Sequence, residues 1–238
     1  MLIAIPSKGR AGRVKSQKLL RASVVYVPEL EVEAYQTAGT KNVVGVPNEI
    51  RGITATRNWI LRNCGDERVV MVDDDLKNQG FVKLFTREAK HKKLSEDEWL
   101  SEFTKLFELT EGLRYRIWGV STESAPRSVY PYKPFFWKSY ITASCMGIVN
   151  DGRTYFDESF RVKEDYELNL RCIKEDGGIV AARYLYWENE HWATEGGCKD
   201  YRTQAMERDA IKRLQKMYPG MIRVTKRANS EFCVQIEN

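Results

Sequence analysis

The chain has 238 residues, of which 42% are hydrophobic and 30% charged, and it carries a net charge of +5. This gives one large globular domain or two small ones with room for a sizeable core; the basic balance suits a polyanionic partner such as nucleic acid, although many enzymes of neutral substrates are as basic. Five cysteines, odd in number and without a CxxC pair, argue against a disulfide framework or a zinc site and for a reducing compartment; with no run of about 18 apolar residues and no signal-length apolar stretch, a soluble cytoplasmic protein without a membrane partner is expected.

Leu2-Ile3-Ala4-Ile5 opens the chain as a short buried strand. Pro6-Ser7-Lys8-Gly9-Arg10-Ala11-Gly12-Arg13 follows. Gly, Ser and three cations just past a first strand form either a loop for phosphate or nucleotide contact or a plain basic surface loop; the Walker A ending and the GxGxxG fingerprint are both missing. A short helix over 14–20, a strand over 23–27 stopped by Pro28, a helix over 29–38 closed by Gly39 and a strand over 42–46 stopped by Pro47 come next. Residues 52–61 form a helix with Ile53, Arg57, Ile60 and Leu61 at helical spacing. Arg57 is either a surface arginine lying along apolar neighbours or a cation turned toward a nucleotide pocket. Strands alternating with helices predict a mostly parallel, doubly wound α/β sheet.

Val69-Val70-Met71-Val72 then runs straight into Asp73-Asp74-Asp75. A Val-rich apolar run reads as a strand buried on both faces. Unpaired carboxylates cannot stay in such a core, so the triplet belongs at the sheet edge, where open α/β sheets bind ligands. Adjacent carboxylates repel one another, and a divalent cation with oxygen ligands, Mg²⁺ or Mn²⁺, relieves this while gripping substrate phosphates. The alternative is a solvated acidic turn.

Lys83, Arg87, Lys90, Lys92 and Lys93 make 81–93 either a solvated face or a phosphate-backbone contact. Ser95 caps a helix that runs to about Leu109, with Trp99, Phe103, Leu106 and Phe107 on its core face. After a strand over 117–120, the stretch 121–140 mixes Pro126, Pro131 and Pro134 with Tyr130, Tyr132, Phe135, Phe136, Trp137 and Tyr140. It is a loop that either packs over the core or offers a stacking platform for sugars or unstacked bases.

A strand over 143–149 and a turn at Asp151-Gly152 lead to a helix opened by Glu164-Asp165 and ended by Gly177-Gly178. Helix dipoles favour acids at that position in any protein, so the pair by itself does not establish a site. A strand over 179–187 precedes Glu188-Asn189-Glu190-His191-Trp192 and a Gly196-Gly197 pair; His191, one of two histidines, fits a metal ligand, a lid residue or a structural role. A basic helix over 200–218 and a hairpin over 221–236 close the chain.

Ala55-Thr56-Arg57-Asn58 on a helix, the strand ending at Asp73–Asp75, and Phe156-Asp157-Glu158 followed by Glu164-Asp165-Tyr166-Glu167-Leu168 and Arg171 resemble the GT-A glycosyltransferases in order and spacing. Pro6-Ser7-Lys8-Gly9-Arg10, Lys163 to Glu167 and His191-Trp192-Ala193-Thr194-Glu195-Gly196-Gly197 narrow the resemblance to the TET/JBP-associated glycosyltransferases, a phage-centred group that puts sugars on hydroxymethylated pyrimidines in DNA. The resemblance implies a single Rossmann-like GT-A domain, with residues 1–80 as the nucleotide-sugar half and 81–238 as the acceptor half. It implies a UDP-linked sugar donor held with Mn²⁺ or Mg²⁺ and an inverting transfer to a DNA base, 5-hydroxymethylcytosine foremost. Asp75 would ligate the metal, Asp73 would hold the ribose or a metal water, and His191 would be a third ligand; Pro6, Ser7, Arg10, Arg13, Arg57 and Asp74 would line the nucleotide. Asp165 would be the base, with Glu164 as the second choice. Acids at all three positions of the triplet leave open which pair meets the metal.

Three other functions compete. A protein or glycan hydroxyl could be the acceptor on the same fold. A nucleotidyltransferase also uses strand-end carboxylates, but its Gly-rich donor loop is not evident. A non-catalytic phage DNA-binding protein would need no carboxylates at a strand end.

Overall fold

A computed structural model describes residues 1–83, 90–122, 133–190, 203–227 and 230–236. The first half alternates strands and helices: β1 (Leu2–Pro6), α1 (Lys15–Leu19), β2 (Val24–Pro28), α2 (Val32–Thr37), β3 (Val43–Val46), α3 (Ile53–Asn63) and β4 (Arg68–Val72). The helix expected over 29–38 is a 3₁₀ turn at Glu29–Glu31 running into α2. β5 (Leu76–Lys83) and β6 (Lys90–Lys92) form an antiparallel pair inside the basic stretch. Then come α4 (Glu96–Gly112), β7 (Ile117–Ser121), β8 (Phe135–Phe136), β9 (Cys145–Val149), α5 (Glu164–Asp176), β10 (Val180–Asn189), α6 (Gln204–Met217) and the hairpin β11 (Ile222–Arg227) and β12 (Ser230–Ile236).

Among the described residues the main sheet has ten strands in the order β3-β2-β1-β4-β9-β7-β10-β5-β6, with β8 paired to β10. The run β3-β2-β1-β4 is parallel, in the registers Val25↔Val43, Ala4↔Val24 and Leu2↔Val69. β9 then lies antiparallel between β4 and β7, pairing Met71 with Met146 and Trp118 with Gly147. β10 is parallel to β7 and antiparallel to β5. Two successive reversals restore the direction, so β1, β4 and β10 all end at one edge of the sheet, and β5 starts there.

The sheet is buried on both faces, which is why β4 reads as an unbroken apolar run. Its side chains alternate: Val70 and Val72 join Trp99, Phe103, Phe107 and Trp118 on the α4 face. Val69 and Met71 join Ile60 of α3 and Leu168 and Cys172 of α5 on the other. Full burial stabilises by about 1.5–3 kcal/mol per side chain of this size. Gly147 leaves room for Trp118, since a Cβ there would lie 1.9 Å from the indole ring. A third cluster joins Tyr166 and Leu170 of α5 to Ile211 and Leu214 of α6.

The helix ends follow their sequence signals. Ser95 and Glu98 form a reciprocal capping box on α4, and Gly177, at φ 87°, closes α5 in the left-handed conformation that suits glycine. No helix among the described residues is long and apolar enough to cross a membrane.

Candidate active site

The shared sheet edge gathers the residues expected to meet the nucleotide sugar. Asp73, Asp74 and Asp75 follow the end of β4 and are held by different sets of partners. Asp74 turns inward and is 4% exposed; one carboxylate oxygen accepts from the Ser7 hydroxyl and the other from the Arg10 guanidinium. Ser7 also meets the Tyr35 hydroxyl at 2.8 Å, and the Arg10 backbone N–H donates to the same hydroxyl at 2.9 Å. The loop after β1 is therefore stitched to the triplet through Asp74. The Asp74 carbonyl accepts from the Lys15 N–H at 2.8 Å, which ties in the start of α1.

Asp73 is held from both sides. Its carboxylate accepts from Arg57 Nη2 at 3.2 Å and from Asn189 Nδ2 at 3.0 Å. Its carbonyl accepts from the Ser16 hydroxyl at 2.5 Å, and its N–H donates to the Ser144 carbonyl at 3.0 Å. Asp75 is the least satisfied member. Arg10 Nη1 stands 3.4 Å from its Oδ2, and its buried Oδ1 has no hydrogen-bond partner among the described residues. Burial, and then the charge of Asp74, push the Asp75 carboxyl above its ordinary range, with Arg10 acting the other way.

Among the described residues, no three His, Cys, Asp or Glu side chains converge on a metal-sized centre. A buried carboxylate oxygen without a donor, in a cluster of hard oxygen atoms, nonetheless fits Mg²⁺ or Mn²⁺, whose remaining ligands are commonly water and substrate phosphates. Asp75 supplies that oxygen, with Asp73 beside it. The expected third ligand, His191, lies outside the described residues.

Arg57 links the strand-end carboxylates to the second acidic pair, at the start of α5. It is 4% exposed; Nη1 donates to Glu164 Oε1 at 2.8 Å while Nη2 reaches Asp73, and the guanidinium lies 5.5 Å from the centre of the Phe156 ring. The side chain is thus turned inward and not laid along the surface. Asn58, next along α3, exchanges hydrogen bonds of 2.8 Å with the Phe156 backbone and reaches Glu158 at 2.8 Å, so it fixes the segment leading to α5.

At the start of α5, Glu164 faces inward to Arg57 and Asp165 faces the loop before β9. Burial is the main cause that lifts the Glu164 carboxyl to about 7; Asp165 adds to the rise and Arg57 opposes it. Asp165 is half-buried and accepts from the Tyr140 hydroxyl. Burial and the Asp165 charge hold the Tyr140 pKa well above its usual value, so this hydroxyl stays protonated and donating. Tyr140 stacks on Tyr166 with ring centres 3.9 Å apart. Asn169 pins the adjoining backbone by donating to the Ile141 carbonyl at 2.9 Å and accepting from its N–H at 3.0 Å.

Arg13 stays in its own loop, donating to the Gly9 carbonyl at 2.9 Å, and it does not reach the carboxylates. Pro6 ends β1 and delivers Ser7 to the edge. Tyr130 and Tyr132 of the aromatic stretch lie outside the described residues; Phe135 stacks with Trp137 at 5.8 Å, and Trp137 remains 42% exposed. Sequence reasoning gave no role to Tyr35, Asn58 or Asn189. The only available signals were a lone Tyr on a short helix, an Asn beside Arg57 and an Asn closing an apolar strand.

A parallel α/β half that ends in carboxylates, joined by a buried arginine to a second acidic pair, has the GT-A fold and is a glycosyltransferase. The structure is similar to glucosyl-3-phosphoglycerate synthase from Mycobacterium tuberculosis in complex with Mn²⁺ and UDP-glucose, with a TM-score of 0.54 and 11% identity over 99% of this chain and 85% of that one. The same enzyme with Mg²⁺ and UDP gives a TM-score of 0.53 and 12% identity over 99% and 86%. Residues 1–349 of S. aureus TarS give 0.46 and 13% identity over 79% of this chain; the chain spans 60% of that structure. No curated protein sequence matches the chain. The sequence profile of the TET-associated glycosyltransferases matches residues 1–197, and the chain belongs to that family.

Proposed function

We infer that this glycosyltransferase moves a sugar from a UDP-linked donor, bound with Mn²⁺ or Mg²⁺, to the hydroxymethyl group of a modified pyrimidine in DNA, with 5-hydroxymethylcytosine as the favoured base and inversion at the anomeric carbon. The observation that carries this is the contact of Arg57 with Asp73 on the donor side and Glu164 on the acceptor side, which sets two acidic groups around one buried cation. The donor and metal are supported by the Mn²⁺ and UDP-glucose of the mycobacterial enzyme. The DNA acceptor is supported by the family's association with TET and by exposed Arg208, Lys212 and Lys216 on α6, which recur every four residues and so share one helix face.

The chemistry follows from the side chains. Arg10 has a buried Nε without an acceptor among the described residues, and its guanidinium, set between the first loop and the triplet, is the cation assigned to the donor diphosphate. Asp75 and Asp73 would hold the divalent cation, which as a Lewis acid neutralises charge on the leaving diphosphate. Asp165 takes the proton of the acceptor hydroxyl as its oxygen attacks the anomeric carbon. The bond from that carbon to the diphosphate breaks, and its electron pair leaves with the nucleotide. Tyr140 and the Tyr166 N–H, the latter at 2.9 Å from Oδ1, hold Asp165 in one orientation.

Mass spectrometry of digested nucleosides tests this, with Mn²⁺ and a panel of nucleotide sugars offered to DNA containing 5-hydroxymethylcytosine, 5-hydroxymethyluracil or neither. A sugar mass on 5-hydroxymethylcytosine, lost with chelator and in Asp75→Ala, is expected. Donor hydrolysis without transfer to any DNA would remove the DNA acceptor and turn attention to protein and glycan hydroxyls.

A further inference from the structure

Asn189 closes β10 at the sheet edge where β4 ends. It is 6% exposed, and a register shift between Glu188 and Asn189 places it opposite Leu76, the residue after the acidic triplet. The next backbone N–H, of Glu190, donates to the Asp75 carbonyl at 2.9 Å, and this locks the two strand ends together. The carboxamide is oriented by its other end. Nδ2 donates to Asp73 Oδ2 at 3.0 Å, which leaves Oδ1 as the free end, and Oδ1 is buried without a hydrogen-bond partner among the described residues.

A buried carbonyl oxygen with no donor is costly, and flipping the amide would set that oxygen against the Asp73 carboxylate. Asp75 Oδ1, on the neighbouring strand end, has the same deficit. A positive ion answers both. Neutral amide oxygens suit hard divalent cations and, unlike a fourth carboxylate, add no repulsion to a cluster that already holds three.

We propose that Asn189 is a ligand-providing residue of the divalent-cation site: Oδ1 joins Asp75 Oδ1 in the coordination shell while Nδ2 sets the orientation of Asp73. This rests on the metal-bound donor site of the preceding section and adds a member from the far half of the chain.

Mn²⁺ binding in the presence of UDP, followed by loss of the electron-paramagnetic-resonance signal of free aqueous Mn²⁺, tests the proposal without relying on turnover. Wild type is compared with Asp75→Ala, Asn189→Ala and Asn189→Asp, and thermal melts without metal confirm that each variant is folded. Asn189→Ala should raise the Mn²⁺ dissociation constant by roughly 10–100-fold. Asn189→Asp should bind Mn²⁺ at least as tightly as wild type, because the oxygen ligand it keeps and the negative charge it adds outweigh the lost Nδ2 bond to Asp73, and its melting temperature should rise more on adding Mn²⁺ than that of wild type. A residue that only props Asp73 predicts the reverse, since the aspartate loses the donated hydrogen bond and repels its neighbour; weak binding by Asn189→Asp overturns the proposal, whether or not Asn189→Ala folds. Wild-type affinity in Asn189→Ala alongside loss in Asp75→Ala overturns it while leaving the donor site standing. Absence of Mn²⁺ binding in wild type with UDP removes the proposal and the metal-dependent donor site together.

Discussion

The carboxylates at the end of β4 and those at the start of α5 are the same chemical groups on either side of Arg57, yet they are held by different means. Asp73–Asp75 are fixed by partners from separate parts of the chain: Ser7, Arg10, Ser16, Arg57, Ser144 and Asn189. Glu164 and Asp165 sit where a helix dipole already favours acids, and each has one strong side-chain partner, Arg57 or Tyr140. Tertiary assembly thus fixes the proposed donor side, while local helix geometry with a few anchors sets the proposed acceptor side. Under the proposed function the first arrangement would suit a fixed diphosphate, and the second would leave a half-buried carboxylate available to an incoming hydroxyl.

The largest test of this contrast is Asp165→Asn. It should lower kcat by about 10²–10⁴-fold while UDP affinity stays within twofold or so, measured by initial rates and calorimetry. Weakened UDP binding instead would merge the two sides into one. Next is Arg57→Met, which strips the shared cation from two carboxylates and should cost about 3–5 kcal/mol in urea unfolding at pH 8. Because Glu164 can take a proton, the loss should shrink at pH 6, and the double variant Arg57→Met/Glu164→Gln should recover part of it.

Glu164→Gln alone probes the acceptor side by pH. The folded-state carboxyl lies near 7 against an ordinary 4.5, so between those values the native state binds more protons than the unfolded chain. The contribution of Glu164 to stability is therefore fully present below about pH 4.5 and is lost as pH rises through 7. The glutamine variant should lack that decline in a series of melts from pH 4.5 to 8. The smallest effect is expected at the rim. Lys212→Ala should weaken DNA binding about equally for all sequences and reduce the slope of log affinity against log salt by roughly 0.9.

Much of this frame was legible in the chain. β1 to β4 announce themselves as apolar runs stopped by Pro or by acids, and α5 by its acids and its closing Gly177. β5 was not, because Leu76 to Lys83 is largely polar. Its place depends on Gln79, whose side chain accepts from the Trp99 indole at 2.6 Å and donates to the Leu94 carbonyl at 2.9 Å, partners that no local pattern reveals. The same holds for the site. Asp73–Asp75 and Glu164-Asp165 are visible as motifs, and Arg57 was visible with two possible roles. Asn189 and Tyr35 act only through contacts that folding creates, so neither stands out in a linear reading.

The interleaving of β9 and β10 with the first half has a consequence for how the molecule is made. β4 gains its second neighbour only when β9 is present, and β5 is flanked by β10, so register partners such as Met71 and Met146 or Gly80 and Tyr186 are distant in the chain. Closing such loops costs entropy before any pairing rewards it, which slows folding. A nascent chain that has emerged only through β5 exposes one flank of its most apolar strand, a template for unwanted association. The three aspartates at the end of that strand then act as gatekeepers, since their mutual repulsion disfavours stacking of one unfinished chain on another before the carboxylates find Ser7, Arg10, Arg57 and Asn189.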